Sequence, residues 1–359
     1  MKDVLAELRR FQAQGDRVAI ATVVASRRTA PRPIGSKLLV SERGELAGSV
    51  SGGCVEGDVS EHARAVLDGQ AAHLASYGIE DELAFSVGLS CGGEIDVWVQ
   101  ELHRALLDRV ARLVDEGERG VVFTVVAGEG AGATCLVTEA GEEVGDGAEH
   151  VRDLVDGLLR GARNRLLDEG DRKVFAEVHG PPPRLVVVGA VDTGEALCAA
   201  AKAIGWRTIV VDARAAFATP ERMPSADEIV VSWPSEALGG IGPDHQTAVV
   251  VLSHDEKFDI PALISALQTE AFYIGAIGGR RTQERRRRRL EEEGVDAAAL
   301  ARISGPCGLD VGADTPAQTA VSILAEVLAV RAGRSGGRLQ EAKGRIHAGP
   351  GQAAAPGAP

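Results

Sequence analysis

The sequence has few aromatic residues, few cysteines and no long apolar run, and each shortage excludes a class of protein. Aromatic residues make up 3% of the 359-residue chain, so we expect cores built from aliphatic side chains. No apolar run approaches the length of a membrane span, so the sequence predicts no membrane partner. Five cysteines at irregular spacing fit a reducing compartment better than a disulfide scaffold.

Basic residues, 39 in number, are outnumbered by 52 acidic ones. The formal net charge of −13 argues against nucleic acid or an anionic membrane as the main partner. The segment from Met1 to Phe11 is charged and amphipathic and does not resemble a signal peptide, so we expect a cytoplasmic protein. The overall balance, with 45% hydrophobic and 25% charged residues, is that of a globular chain long enough for two domains.

Glycine, by contrast, is abundant, and the most informative feature is a cysteine in a glycine-rich turn. The segment Ser49–Glu56 reads SVSGGCVE, and it leads into an apparent helix that runs to about Leu67. Gly52 and Gly53 would allow a tight turn and the close approach of a ligand. The positive end of the helix dipole would favour the thiolate of Cys54.

A second glycine-rich segment, Leu89–Glu94, contains Cys91. Two thiols in two such turns indicate chemistry with a metal, a sulfur atom or a redox partner. The alternative is that Cys54 and Cys91 are small core residues, as free cysteines often are. Cys135 and Cys198 lie in apolar stretches, and we expect both to be buried.

The pattern of predicted elements divides the chain into three parts. Residues 1–178 mix helices and strands, including a helix predicted from Val151 to Leu167, and form an α+β domain that carries the GGC motif. After the stiff Gly180–Pro183 segment, strands alternate with helices over residues 179–332, which predicts a Rossmann-like parallel α/β sheet. Residues 333–359 show no apolar period and are predicted to be a disordered tail.

The start of this second domain resembles a dinucleotide-binding turn but departs from it. Gly189 and Gly194 fit the glycine pattern, and Asp212 stands where a ribose-binding acid would. Val191 occupies the position at which glycine would let pyrophosphate approach, and Asp192 adds negative charge beside it. The pattern therefore predicts the fold and counts against bound NAD. The glycines can serve the turn and its packing alone.

Three further loops follow strands of the predicted sheet and should gather at the carboxyl ends, where ligands bind in such folds. They are Ser253–Asp255, Gly275–Arg281 and Gly305–Pro316. His254, beside Asp255, is a candidate base or ligand, or else a loop hydrogen-bonder. In the last loop, Thr315 and Pro316 are predicted to begin a helix.

Two basic segments are alternative candidates for an anion-binding site. Arg280 and Arg281 lie within a glycine-rich loop and are the better candidates for binding a phosphate. The run Arg285–Arg289 is followed closely by three glutamates, which predicts a solvated helix face with pairs of opposite charge.

Taken together, these residues resemble the XdhC/CoxI family, accessory proteins that mature xanthine dehydrogenase and related molybdenum hydroxylases. In the N-terminal half the resemblance rests on APRPIG (30–35), GSVSGGCVE (48–56) and CGG (91–93). In the C-terminal half it rests on DAR (212–214), HD (254–255), YIGAIGGRR (273–281) and GPCGLDVGADTPAQTAVSI (305–323). The chain departs from the family at Val191, where glycine is common, at Cys307, where an aliphatic residue is commoner, and at Gln318, where an acid is commoner.

The resemblance implies a cofactor chaperone with no catalytic residues. Such proteins are thought to bind molybdenum cofactor, which is molybdopterin with or without a nucleotide. They protect it while a cysteine desulfurase helps to install its sulfido ligand, and deliver it to an apo molybdenum hydroxylase. By this resemblance Cys54 is the first candidate for contact with the metal, and Cys91 is the second. The expected cofactor-binding residues are Gly52, Gly53, Cys54, Cys91, Gly189, Asp212, His254, Asp255, Arg280, Arg281 and Asp310.

The competing hypothesis is an NAD(P)-dependent oxidoreductase, with His254 as acid–base and Asp212 on the ribose. Val191 counts against it. A dehydrogenase subunit with iron–sulfur clusters is not indicated, because the cysteine framework is missing. The client enzyme, the nucleotide form of the cofactor and a homodimeric state stay open at the level of sequence.

Overall fold

The computed structural model describes residues 1–27, 32–78, 93–101, 104–253 and 255–342. Its described chain folds into two compact units, of which the first ends at Pro181 and the second begins at Pro182. Cys91, His254 and the predicted tail from residue 343 onward lie outside the described residues.

The first sheet of the first unit is antiparallel, with strand order β3-β2-β1-β5-β4. Its strands are β1 (Val18–Arg27), β2 (Lys37–Ser41), β3 (Leu46–Gly48), β4 (His73–Tyr77) and β5 (Glu94–Glu101). The helices of this region are α1 (Leu5–Ala13) and α2 (Glu56–Leu67). One face of α2 buries Val59, Ala63 and Val66 in the same apolar cluster as Ala21 and Val97 of the sheet. This packing fixes the position of the glycine-rich turn that precedes α2.

The second sheet of this unit is also antiparallel, with strand order β8-β7-β6-β10-β9. Its strands are β6 (Gly120–Ala127), β7 (Thr134–Thr138), β8 (Glu143–Gly145), β9 (Arg165–Glu169) and β10 (Arg172–His179). Its helices are α3 (Arg104–Glu116) and α4 (Val155–Gly161).

The long helix predicted from Val151 to Leu167 is wrong, because α4 ends at Gly161 and β9 begins at Arg165. Ala162 ends the helix with a φ of +44°, in the left-handed region. Asn164 then ties the chain to the sheet: its Oδ1 accepts the amide of Val178 at 2.9 Å. A tertiary hydrogen bond thus overrides the local helical pattern.

The second unit contains a six-stranded parallel sheet with strand order β13-β12-β11-β14-β15-β16. Its strands are β11 (Arg184–Val188), β12 (Arg207–Val211), β13 (Glu228–Val230), β14 (Thr247–Val251), β15 (Tyr273–Ala276) and β16 (Ile303–Ser304). Its helices are α5 (Asp192–Ala203), α6 (Pro234–Ile241), α7 (Glu256–Leu267), α8 (Arg280–Glu292), α9 (Ala297–Leu300) and α10 (Pro316–Ala332).

Both faces of the parallel sheet are covered, since two separate apolar clusters lie on its alternate residues. Val187 and Val250 belong to the cluster that includes α5 and α10, whereas Val186 and Val249 belong to the one that includes α6 and α7. The order of strands reverses between β11 and β14, which makes a crevice at their carboxyl ends the expected ligand site. The predicted fold class, a Rossmann-like sheet preceded by an α+β region, is confirmed.

No helix in the described ranges is long and apolar enough to cross a membrane.

Candidate functional site

The glycine-rich turn before α2 has the conformation that its sequence predicts. Cys54 lies two residues before the first residue of the helix, and Val55 is the N-cap. Gly52 and Gly53 have φ values of +80° and +114°, which side chains with a Cβ rarely adopt. A Cβ at either glycine would meet no atom within 4 Å, so backbone conformation, and not crowding, calls for glycine here.

The carboxylate of Glu56 fills the inside of this turn. Its Oε1 accepts the hydroxyl of Ser49 at 2.6 Å and the amides of Ser51 and Gly52 at 2.9 and 3.1 Å. Its Oε2 accepts the amide of Gly53 at 2.8 Å and the hydroxyl of Ser51. The hydroxyl oxygen of Ser51 in turn accepts the amide of Cys54 at 2.9 Å. The turn therefore holds an anion that belongs to the chain itself.

These contacts determine the charge of Glu56. Partial burial alone would raise its pKa, but the hydrogen bonds from the hydroxyls of Ser49 and Ser51 and from backbone amides outweigh it and lower the pKa to about 2. The carboxylate is thus charged at neutral pH. Because the amides of Gly52 and Gly53 already have an acceptor, a ligand would meet this turn through the side chain of Cys54.

Cys54 is half-buried and packs against the apolar cluster beneath α2. The residue is therefore held against the core and keeps part of its surface in solvent. Within the ranges that the structure describes, no group of three or more His, Cys, Asp or Glu side chains could hold a metal ion. Cys135 and Cys198 are buried in cores, as predicted.

In the second unit, the turn after β11 keeps two of the three glycine roles of a dinucleotide-binding turn. Gly189 has a φ of +117°. A Cβ on Gly194 would lie 2.8 Å from the carbonyl oxygen of Gly189, so glycine is needed for α5 to pack closely on the turn. Val191 is the N-cap of α5 and packs against the sheet core. Close packing is preserved, and Val191 stands at the position where a dinucleotide-binding turn has its second glycine.

Asp212 is 5% exposed, and both of its oxygens have partners within the protein. Oδ2 accepts the amide of Ala190 and the guanidinium of Arg214, at 2.9 and 2.7 Å, and Oδ1 accepts the amide and Nε of Arg214 at 2.9 Å. Burial would raise the pKa of Asp212, but these bonds from Arg214 and Ala190 lower it. A small pocket lined by Gly189, Asp212, Arg214, Ser253 and Phe258 brings the loops after β11, β12 and β14 together.

The loop after β15 leads into α8. Gly278 has a φ of +129°, and Gly279 is the N-cap of α8. Arg280 and Arg281 are exposed in the first turn of the helix. Arg280 also lines a separate cavity of about 310 Å³, whose wall includes Arg287 and Pro306. The neighbouring loop after β14 places exposed Asp255 at the N-cap of α7, where its side chain accepts the amide of Lys257.

The arginine run on α8 is not entirely a solvated face. Arg286 is 4% exposed and donates to the carboxylate of Asp259 at 2.6 Å, to Gln283 and to the carbonyl of Ile277. Arg287 and Arg289 pair with Glu291 and Glu292 at the surface, as predicted, whereas Arg285 pairs with Glu256 of α7. The predicted face therefore lacks Arg286, whose guanidinium joins α7 to α8.

The loop after β16 is anchored by Glu326 of α10. Its Oε2 accepts the amide of Gly308 at 2.6 Å and the hydroxyl of Tyr273. Cys307 packs against the sheet core, and burial, with Glu326 nearby, raises the pKa of its thiol to about 12. Asp310 is exposed further along the loop. Cys307 is thus a neutral packing residue, and Asp310 is the acid that this loop presents to solvent.

The predicted start of the last helix is confirmed: Thr315 is the N-cap and Pro316 the first residue of α10. The hydroxyl of Thr315 accepts the amide of Gln318, and Oε1 of Gln318 accepts the amide of Thr315, which completes a capping box. Glutamine at 318 therefore performs the capping that an acid would.

Sequence reasoning missed three functional features. Glu56, the internal anion, could have been found as an acid directly after a glycine-rich turn with several unpaired amides. The burial of Arg286 could have been predicted only together with its partner Asp259, which lies 27 residues away in the sequence. Phe217 and Phe258, which lie beside Arg214, come from the loop after β12 and from the first turn of α7, and no local motif marks them.

Comparison with known proteins bears on this arrangement. A family model described as the XdhC and CoxI family matches residues 11–78, and one described as the XdhC Rossmann domain matches residues 185–327. Together they match more than half of the chain and include the turn before α2 and the turn after β11. The chain belongs to the XdhC/CoxI family.

The relatives are distant but extend over most of the chain. A probable xanthine dehydrogenase subunit of Bacillus subtilis is 26% identical over 88% of this chain and 94% of its own length. The molybdenum cofactor insertion chaperone PaoD of Escherichia coli is 28% identical over 88% of this chain and 84% of its own length. A crystal structure of a xanthine dehydrogenase from Bacillus halodurans, 24% identical, superposes with a TM-score of 0.69 over 94% of this chain and 98% of that one. This likeness shows a shared fold over nearly the whole chain.

Proposed function

We propose that the protein binds molybdenum cofactor as cargo and delivers it to an apo molybdenum hydroxylase of the xanthine dehydrogenase type. The observation that carries this proposal is the placement of Cys54, a soft sulfur donor on a rigid turn with open space over the adjacent Gly52 and Gly53. A relative similar over most of the chain is named a molybdenum cofactor insertion chaperone, and this supports the same role.

The residues present fit such a cargo. A thiolate is a suitable ligand for a soft metal centre or for sulfur. The exposed guanidinium groups of Arg280 and Arg281 suit the phosphate that the cofactor carries. Under this proposal Cys54 holds the metal end while a cysteine desulfurase provides sulfur, and the chain itself turns over no substrate. Cys91, His254 and Asp310 remain candidates for further contacts.

The test is the molybdenum content of the purified protein. The chain is co-expressed with a molybdenum-cofactor supply, and molybdenum per chain is measured by mass spectrometry for the wild type and for Cys54→Ser. The exchange is nearly isosteric, so the fold should persist while cofactor retention falls. Cys135→Ala, in a strand of the same unit, is the matched control and should retain cofactor wherever it folds.

Two outcomes would contradict the proposal at different levels. Wild-type protein that carries neither molybdenum nor pterin would remove the proposed function. Equal cofactor content in the wild type and in Cys54→Ser would leave the function and remove the role of Cys54. Circular dichroism of each variant separates lost binding from lost folding.

A further inference from the structure

Aromatic residues are scarce in this chain, yet three of them gather at the carboxyl ends of the parallel strands. Phe217 follows β12, Trp233 precedes α6, and Phe258 lies in the first turn of α7. The guanidinium carbon of Arg214 lies 4.2 Å from the ring centre of Phe217 and 5.9 Å from that of Phe258. We call these four residues the aromatic cluster.

The cluster is fixed in position, because its members hold one another. The rings of Trp233 and Phe258 are 5.0 Å apart at an angle of 36°. Arg214 is held by both oxygens of the buried Asp212, so its planar group cannot swing freely. A flat ligand would therefore meet a surface that is already ordered, and binding would cost little conformational entropy.

The cluster is also open to solvent. Trp233 is 46% exposed and Phe217 37% exposed, whereas Trp98 and Trp206 are 3% and 5% exposed. An exposed tryptophan stacked on a phenylalanine beside an arginine is a composition that binding surfaces favour. Burial in the core does not explain these rings, since much of their area faces water.

Charged groups surround the rings. Lys257 lies 4.9 Å from the ring centre of Phe258 and pairs with Asp255 at 3.0 Å, and Arg222 lies 5.1 Å from that of Phe217. Arg222 is 3.8 Å from Asp192, and the third cation, Arg214, pairs with Asp212. Each of these three cations has an acid beside it, so a free phosphate would gain little binding free energy here. The rings must therefore supply most of the attraction for a ligand.

We propose that the aromatic cluster stacks the flat heteroaromatic ring of a phosphorylated ligand. The ring would lie against Trp233 or on the Arg214–Phe217 pair. Stacking on aromatic side chains and on arginine is the usual way in which proteins hold such rings. The inference rests on the proposed function for the identity of the ligand, since molybdenum cofactor offers a pterin ring and, in its nucleotide form, a base.

The position of the cluster supports this assignment. Arg214 and Phe258 line the small pocket at the point where the strand order reverses, together with Gly189. This edge of the sheet is where such folds bind ligands. Val191, at the neighbouring turn, stands where a dinucleotide-binding turn has its second glycine.

The experiment is a calorimetric titration of the full chain with CMP, GMP and AMP, and separately with neopterin. Binding of a nucleotide would identify a base as the ring, and binding of neopterin alone would identify the pterin. Trp233→Ala should weaken the binding by about ten-fold, the lower part of what loss of one stacking ring costs. Val231→Ala, an exposed apolar neighbour (52% exposed) without a ring, is the matched control and should leave the affinity unchanged.

Tryptophan fluorescence gives a second readout. Because Trp98 and Trp206 are buried, a stacked ligand should quench mainly the emission of Trp233, and Trp233→Phe should remove that response while retaining most of the affinity. No binding of any nucleotide or of neopterin at millimolar concentration would overturn the inference, and so would equal losses in Trp233→Ala and Val231→Ala. Molybdenum content, measured independently, shows whether the proposed function stands or fails on its own.

Discussion

The amide of Gly53 donates to the carboxylate of Glu56 at 2.8 Å, so the glycine-rich turn beside Cys54 is closed around an acid of the same chain. Turns of this kind usually bind an external anion through their amides. Here the amides serve stability, and the half-buried side chain of Cys54 next to them is what the turn offers to a ligand.

Replacing Glu56 with glutamine should destabilise the first unit by about 1–2 kcal/mol at neutral pH, a value kept low because the carboxylate is partly exposed. The pKa of Glu56 falls from its ordinary 4.5 to about 2 on folding, so its contribution is complete above pH 4.5 and is lost as the pH falls toward 2. Urea unfolding at pH 7 and at pH 3 measures both effects. The variant should lose less stability than the wild type between these values, and Glu61→Gln, on the exposed side of the same helix, should behave as the wild type. A pH profile of Glu56→Gln identical to that of the wild type would contradict the assignment.

Free NAD should bind weakly or not at all, because Val191 stands at the pyrophosphate position and Arg214 already occupies both oxygens of Asp212. Calorimetry at millimolar NAD is the measurement. Val191→Gly should raise whatever affinity exists, since it removes the side chain and leaves the turn at Gly189 intact. A micromolar dissociation constant for the wild type would favour the oxidoreductase hypothesis instead.

Arg281 should bind the phosphate of the cargo more strongly than any residue of the exposed arginine run. Arg281→Ala should weaken cofactor binding by about 1.5–3 kcal/mol, the range for a charge-assisted hydrogen bond. Arg287 already pairs with Glu291, and Arg287→Ala should change solubility more than affinity. A titration in which only the Arg287 variant loses affinity would assign the phosphate to the cavity that Arg280 and Arg287 share.

The buried pair of Arg286 and Asp259 should be among the most sensitive positions of the second unit. Asp259→Ala leaves a buried guanidinium without its partner and should cost about 3–5 kcal/mol in the free energy of unfolding. Combining Asp259→Leu with Arg286→Met should recover most of this loss, because no buried charge then remains. Arg285→Ala breaks an exposed pair with Glu256 and should cost less than about 1 kcal/mol. Similar losses in the Asp259 and Arg285 variants would show that burial does not govern these pairs.

The sequence predicted those features whose causes are local. The helix after Cys54, the capping of α10 by Thr315 and the alternation of strands and helices after Pro183 each follow from a few neighbouring residues. The helix predicted through Leu167 failed because Asn164 bonds to Val178, a strand away. The contacts of the candidate site likewise join residues that are distant in the sequence. Asp212 was predicted as an acid at the end of a strand, but its partner Ala190 is brought to it only by the fold.

That last bond has a thermodynamic consequence. One carboxylate, Asp212, holds the amide of Ala190 in the turn after β11 and the guanidinium of Arg214 in the loop after β12. A ligand that shifts Arg214 would alter how firmly Asp212 holds the turn, and by linkage a change at the turn would alter the affinity at Arg214 by the same free energy. The two loops thus form one coupled unit, in which neither can be remodelled by mutation without a measurable response in the other.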